Sequence, residues 1–288
     1  MSFIRKVFSH SDSSKPLQDE IESKIRDLMF IDVPAGKETI AYFLNVGEPA
    51  IPVLMANLLN EKTAIRMGVW RMLGIFVKQK KLNEAQKREF MDFLVDELLS
   101  GDEWRPIEVA PVLHDVGDET VAERVRPLLT GENRSLKIAA IKILGGIGDV
   151  EAVDELITLL MKDPDGYISQ VCAIALGEIG DERAILPLID ALDSHSSDAK
   201  KTVALDLDLS NNAFHALIRI GEPALDPLLA RFGTFYEEYT RRIACFVLGE
   251  IGDDRAIGPL EALLKKPEIS NRTREIIEDR LIKIKRRA

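Results

Sequence analysis

Apolar residues recur at helical spacing along the chain, in short segments separated by Gly-containing polar connectors. One segment carries Val171, Ala173, Ile174, Ala175 and Leu176, the small and branched residues that helix-on-helix packing favours. A connector follows, and then a second apolar segment runs from Ala184 to Ile189. The pattern predicts a helix A, a tight turn, a helix B and a short loop, repeated at a spacing near 31 residues. Leu176-Gly177-Glu178-Ile179-Gly180-Asp181 returns as Leu248-Gly249-Glu250-Ile251-Gly252-Asp253. A period of this length denotes stacked hairpins rather than a single globular core.

The register is set by the turns. Gly47, Gly117, Gly148, Gly180, Gly221 and Gly252 are placed to end helix A in a left-handed conformation, and an acidic residue follows each. The aspartates among those acids suit capping of helix B. Pro187, Pro227 and Pro259 share a position in the first turn of helix B, where a missing N–H costs little. Gly47 and Gly117 lie 70 residues apart, leaving room for a degenerate unit with helix A at Thr63–Val77 and helix B near Asn83–Leu99. Trp70 reads as core filler in that unit. Seven hairpins are expected, with capping helices near Leu17–Phe30 and Asn271–Arg286. The expected organisation is a flexible segment over residues 1–15 followed by one all-α solenoid over 16–288. Its degenerate repeats span 31–100, its regular repeats 101–266 and its C-terminal cap 267–288. The interval from Gly180 to Gly221 is 41 residues, and its surplus falls in Asp193–Asn212, expected as a loop insertion.

LGEIGD at 176–181 and 248–253, GEPA at 47–50 and 221–224, and the A-x-x-P-L pattern of helix B resemble the HEAT-like repeat family. The likeness is to the short type named after phycobilisome lyases. In such repeats an apolar-Arg pair begins helix A, and its cation pairs with acids as a structural ladder. Ile65-Arg66, Leu136-Lys137 and Thr240-Arg241 hold that register, whereas Ile168-Ser169 and Leu209-Ser210 depart from it. The resemblance therefore implies a ladder that is interrupted at the fifth and sixth units. It also opens the possibility of a lyase-like subunit that assists pigment attachment. Deoxyhypusine hydroxylases, which bind iron through His-Glu pairs, are excluded, because the four histidines are followed by Ser11, Asp115, Ser196 and Ala216.

Charge narrows the partners. The net charge of −10 argues against a general DNA or RNA binder. Residues 101–195 hold 8 basic and 19 acidic residues, so the acidity sits in the middle of the sequence, where a basic protein segment could be steered. A solvated acidic face is the plainer alternative. Cys172 and Cys245 lie in apolar helical runs and outside any CxxC pair, as buried inert thiols in a reducing, cytoplasmic protein would. No segment has the length of a membrane span. Phosphate-binding, nucleophile-elbow and calcium-loop patterns are missing or incomplete, so no catalytic residue, cofactor or metal is expected.

Three features could mark a binding surface. Trp104, Tyr167 and Tyr239 fall at one register before helix A of units three, five and seven, as an aromatic ladder of interface anchors would. The alternative is that each ring packs on its preceding loop. Phe232, Phe235, Tyr236 and Tyr239 precede Arg241-Arg242, a density of rings and guanidinium groups suited to an acidic peptide or a stacked base. Core packing of the phenylalanines competes with that reading. Residues 1–8 (MSFIRKVF) form a short amphipathic segment that could touch a membrane or a partner groove. The expected function is a non-enzymatic protein-binding scaffold with its partner on a concave surface. The alternatives are the lyase-like subunit and nucleic-acid binding through Arg280, Lys283, Lys285, Arg286 and Arg287.

Overall fold

The computed structural model describes residues 15–34, 36–192, 203–232, 235, 238–266 and 269–286. The chain divides into two compact units, Met1–Arg124 and Val125–Ala288. The first holds α1 (Lys15–Ile25), α2 (Gly36–Val46), α3 (Ile51–Ala56), α4 (Thr63–Lys78), α5 (Glu84–Leu98), α6 (Arg105–Val116) and nearly all of α7 (Glu119–Val125). The second holds α8 (Arg134–Ile147), α9 (Val153–Lys162), α10 (Gly166–Ile179), α11 (Ile185–Leu192), α12 (Val203–Ile220), α13 (Leu225–Phe232), α14 (Glu238–Ile251), α15 (Ile257–Leu264) and α16 (Asn271–Lys285). Along the chain α2 to α15 make seven A–B hairpins, with α1 and α16 at the ends, an all-α solenoid repeat pattern. No single helix among the described residues is long and apolar enough to cross a membrane.

Successive A helices pack on one another in the second unit: α8 on α10, α10 on α12, α12 on α14 and α14 on α16. Glycine permits this where α8 meets α10 and where α10 meets α12. A Cβ at position 177 would stand 2.5 Å from the Ala216 Cα, and one at position 145 would stand 2.8 Å from the Ala175 Cα. The first Gly of LGEIGD is thus a packing residue, a role distinct from that of the turn Gly three letters further into the motif. Leu176 and Leu248 are fully buried beside it. Glu178 pairs with Arg219 of the following A helix at 3.2 Å, and Glu250 pairs with Arg280 at 3.0 Å and Lys283 at 2.5 Å.

The turns come in two forms. Gly148 and Gly180 are left-handed, and the next residue, Asp149 or Asp181, accepts a hydrogen bond from the N–H two residues on. Gly47 and Gly221, each followed by Glu-Pro-Ala, combine φ of 69° and 79° with ψ of −135° and −134°, a region that L-residues avoid. Gly117 departs from expectation, at φ −60° and ψ 157°. There α7 begins directly as an α-helix, with Asp118 at its start, so the chain requires no left-handed link. In five other hairpins a 3₁₀ turn leads into helix B, ending at Ala50, Ala152, Ala184, Ala224 or Ala256, all but fully buried. The prolines at 187, 227 and 259 sit third in the α-helix that follows, inside its first turn.

Half of the surplus expected as a loop at the sixth hairpin is helix. Residues 193–202 lie outside the described residues, but 203–212 belong to α12, which has 18 residues against 14 in α8, α10 and α14. Residues 1–8, expected as an amphipathic segment, also lie outside the described residues.

Candidate partner-binding site

In the first unit the chain turns into α6 through Asp102-Glu103-Trp104. The Trp104 N–H donates to Asp102 Oδ1 at 2.9 Å, and Pro106 sits in the first helical turn, where its fixed φ suits a helix start. This makes Trp104 the residue before the helix, whereas Tyr167 and Tyr239 stand second within α10 and α14. Trp104 is 69% exposed and Ile107, three residues on, is 63% exposed. A large indole left in solvent beside a bare isoleucine is unusual for a residue whose task is packing.

The polar side chains between them turn inward. Arg105 Nε lies 2.8 Å from Glu97, and its Nη1 donates to Glu108 at 2.8 Å. Arg66 donates from Nη2 to both Glu108 oxygens at 3.1 and 3.0 Å, and from Nη1 to the Asn60 carbonyl at 3.0 Å. Both guanidinium groups stand near the Trp70 ring, at 5.7 and 5.9 Å from its centroid, and the indole N–H donates to the Leu58 carbonyl at 2.9 Å. Trp70 is fully buried, as core filler. This network of two arginines, two glutamates and an indole, which leaves only the buried Arg66 Nε without an acceptor, fixes the base of α6 and so the position of Trp104.

The second unit repeats the turn as Asp165-Gly166-Tyr167. The Tyr167 N–H donates to Asp165 Oδ1 at 3.0 Å. Arg134, the first residue of α8, is ion-paired to Asp165 and lies over the Tyr167 ring at 5.6 Å. Hydrogen bonding from Arg134 holds the Asp165 carboxyl below its ordinary pKa. Lys137 continues the cation ladder to Asp163 at 3.6 Å, and Ser169 and Ser210 are buried hydroxyls at the same register, so the ladder breaks there.

The remaining candidates divide. Tyr236 lies outside the described residues, as does the side chain of Tyr239, whose backbone belongs to α14. Arg241 and Arg242 are half-buried, and each is already engaged with another group. Phe232 and Phe235 are buried edge to face, 6.1 Å apart, as core. Burial pushes the Cys245 thiol up to about 12 and the Cys172 thiol higher still, so neither is a thiolate nucleophile at neutral pH. Of the C-terminal cations, Arg280 and Lys283 are held by Glu250, and Lys285 by Glu261 at 2.7 Å. Asp102, Ile107 and Arg134 escaped the sequence reading. The shared Asp-x-aromatic spelling at 102–104 and 165–167 is the signal that could have found them.

Helical hairpins stacked A on A, with a Gly turn and a 3₁₀ lead into helix B, define an α-helical repeat protein. Residues 122–208 match the HEAT repeat model and residues 240–266 the PBS lyase HEAT-like repeat, so the chain carries repeats of the HEAT-like family. No curated protein matches the chain. Among solved structures it is similar to the E. coli protein YibA, at 15% identity over 96% of this chain and 98% of that one, with a TM-score of 0.46. An engineered protein shares 17% identity over 93% of this chain and 79% of its own, with a TM-score of 0.45. The CpcE–CpcF phycocyanin lyase complex of Nostoc shares 19% identity over 92% and 94%, with a TM-score of 0.43. No activity is carried over from any of them.

Proposed function

We propose that this chain is a non-enzymatic scaffold that binds a protein partner, with Trp104 as an anchor of the contact. The observation that carries the reading is the exposure of Trp104 and Ile107 over a base of paired, inward-turned charges. Few side chains supply as much contact energy as a tryptophan presented in this way. The partner meets a surface whose local charge is negative, from Asp102 and Glu103, in keeping with a basic segment. Affinity purification from the native organism, comparing the intact chain with W104A, tests the reading. Loss of specific partners in the variant, at unchanged helical CD, supports it. Identical capture by both proteins sinks it.

A second reading rests on the match of residues 240–266 to the PBS lyase repeat: a lyase-like subunit that assists pigment attachment. An absorbance change on mixing the chain with a free bilin separates this reading from the first. A scaffold leaves the bilin spectrum unaltered.

A further inference from the structure

The turn at Tyr167 shows how this fold fills an Asp-x-aromatic seat from within. Arg134 lays its guanidinium on the ring and pairs with the carboxylate that accepts the Tyr167 backbone N–H. The turn at Trp104 has the same two parts, an aromatic ring and a carboxylate whose Oδ1 accepts the Trp104 N–H. Register identifies the residue that would fill it. Lys137 stands three residues into α8 and Arg66 three residues into α4, and both belong to the same cation ladder. Arg134 opens α8 and Thr63 opens α4, so position 63 corresponds to position 134. Threonine carries no cation, and the Thr63 hydroxyl already accepts from Arg66 Nη2 at 3.1 Å. The neighbouring Arg105 approaches Asp102 only at 3.9 Å, because Glu97 and Glu108 hold its guanidinium at 2.8 Å. Among the described residues, the Trp104 ring therefore has no cation of its own.

We propose that Trp104 and Asp102 form an open seat for an arginine side chain of a partner protein, the ring taking the guanidinium face and the carboxylate its N–H groups. The proposal rests on the scaffold reading and specifies the chemistry of its partner. Arginine suits the seat better than lysine, because a planar guanidinium can stack and fork at once while an ammonium is a compact, strongly hydrated charge. Ile107, exposed three residues further along, gives an apolar neighbour of that arginine a place to pack.

The test uses the full-length chain and pools of capped hexapeptides with Arg, Lys, Leu or Asp fixed at one central position. Binding is read from the emission of exposed Trp104 against the constant background of buried Trp70. The Arg pool should bind roughly 3–10-fold more tightly than the Lys pool, the range that a partly desolvated cation–π contact supplies. W104A, followed by peptide fluorescence anisotropy, and D102N should each lose that preference while keeping the parent melting temperature. T63R should fill the seat in cis, altering Trp104 emission without peptide and removing the Arg preference. Arg and Lys pools of equal affinity, or a preference that persists in W104A, would overturn the seat and leave the scaffold reading standing. Binding by no pool also overturns it, and the purification experiment then decides the scaffold reading separately. Self-association that depends on Trp104, seen by sedimentation, would assign the position to a second copy and refute a partner arginine.

Discussion

At the scale of single residues, two glycines with similar φ differ in what they demand. Gly148, at φ 78° and ψ 35°, occupies the left-handed region that asparagine also visits, and a Cβ there would meet nothing within 4 Å. Gly221, at φ 79° and ψ −134°, occupies a region that is essentially glycine's alone. G148N is expected to cost about 1 kcal/mol or less, and G221N about 2–3 kcal/mol, by urea denaturation. The sequence distinguishes the two forms, because only the second is followed by Glu-Pro. The aspartates that follow the left-handed glycines give a second expectation. Arg183 and its N–H lower the Asp181 pKa, and Arg255 and its N–H lower that of Asp253. Carboxyls depressed in the folded state contribute stability above the unfolded value of about 3.9 and lose it as pH falls through the folded values. The gap in melting temperature between the parent and D181N/D253N should therefore be constant near neutrality and shrink below about pH 4.

At the scale of elements, the stacking of A helices depends on positions with no side chain. Gly177 lies in the last turn of α10, where replacement by alanine would gain at most about 1 kcal/mol from helix propensity alone. Its Cβ would press on the backbone of α12 at Ala216, which cannot yield as a flexible side chain can. G177A is thus expected to destabilise by about 1–3 kcal/mol, the ordinary cost of overpacking. G258A, in α15 with open space around it, should instead be neutral or stabilising by up to about 1 kcal/mol. Opposite signs in the same denaturation assay check the argument. The helices, the seven hairpins and the turn register were legible in the sequence, because periodicity and turn chemistry are local. The packing role of the first Gly in LGEIGD was not, since both glycines recur with the same period and only tertiary contact separates them. Exposure at Trp104 was equally hidden: its register partner Tyr167 is 40% exposed against 69%, and the guanidinium laid on the Tyr167 ring comes from a residue 33 positions earlier.

At the scale of the whole molecule, charge read along the chain misleads, because ion pairs join neighbouring repeats as well as neighbouring residues. Glu108, Asp115 and Asp118 of the acidic middle segment are met by Arg66, Lys78 and Lys87, and Glu178 and Asp190 by Arg219 and Arg231. Five of its carboxylates are thus neutralised by cations that the sequence count had assigned elsewhere. The same offset builds a second ladder along the turns. Arg183 reaches back 29 residues to Asp154 and 33 to the Val150 carbonyl, and Arg255 reaches back 29 to Asp226 and 33 to Glu222. Both guanidinium groups are nearly half exposed, so water and salt screen them, and ion pairs of this kind contribute little singly. Their role is register, a repeat-to-repeat contact made at the same place each time. R183A and R255A share no partner, so their effects on the melting temperature should be small and additive. At about 1 M NaCl, where the screening length falls to roughly 3 Å, the ion-pair part of each effect should vanish. Arg255 meets only carboxylates, so the R255A effect should disappear, whereas R183A should retain what the neutral Val150 carbonyl contributes. Salt titration of the two variants in one thermal-melt series separates the outcomes, and equal residual effects at high salt would contradict the assignment.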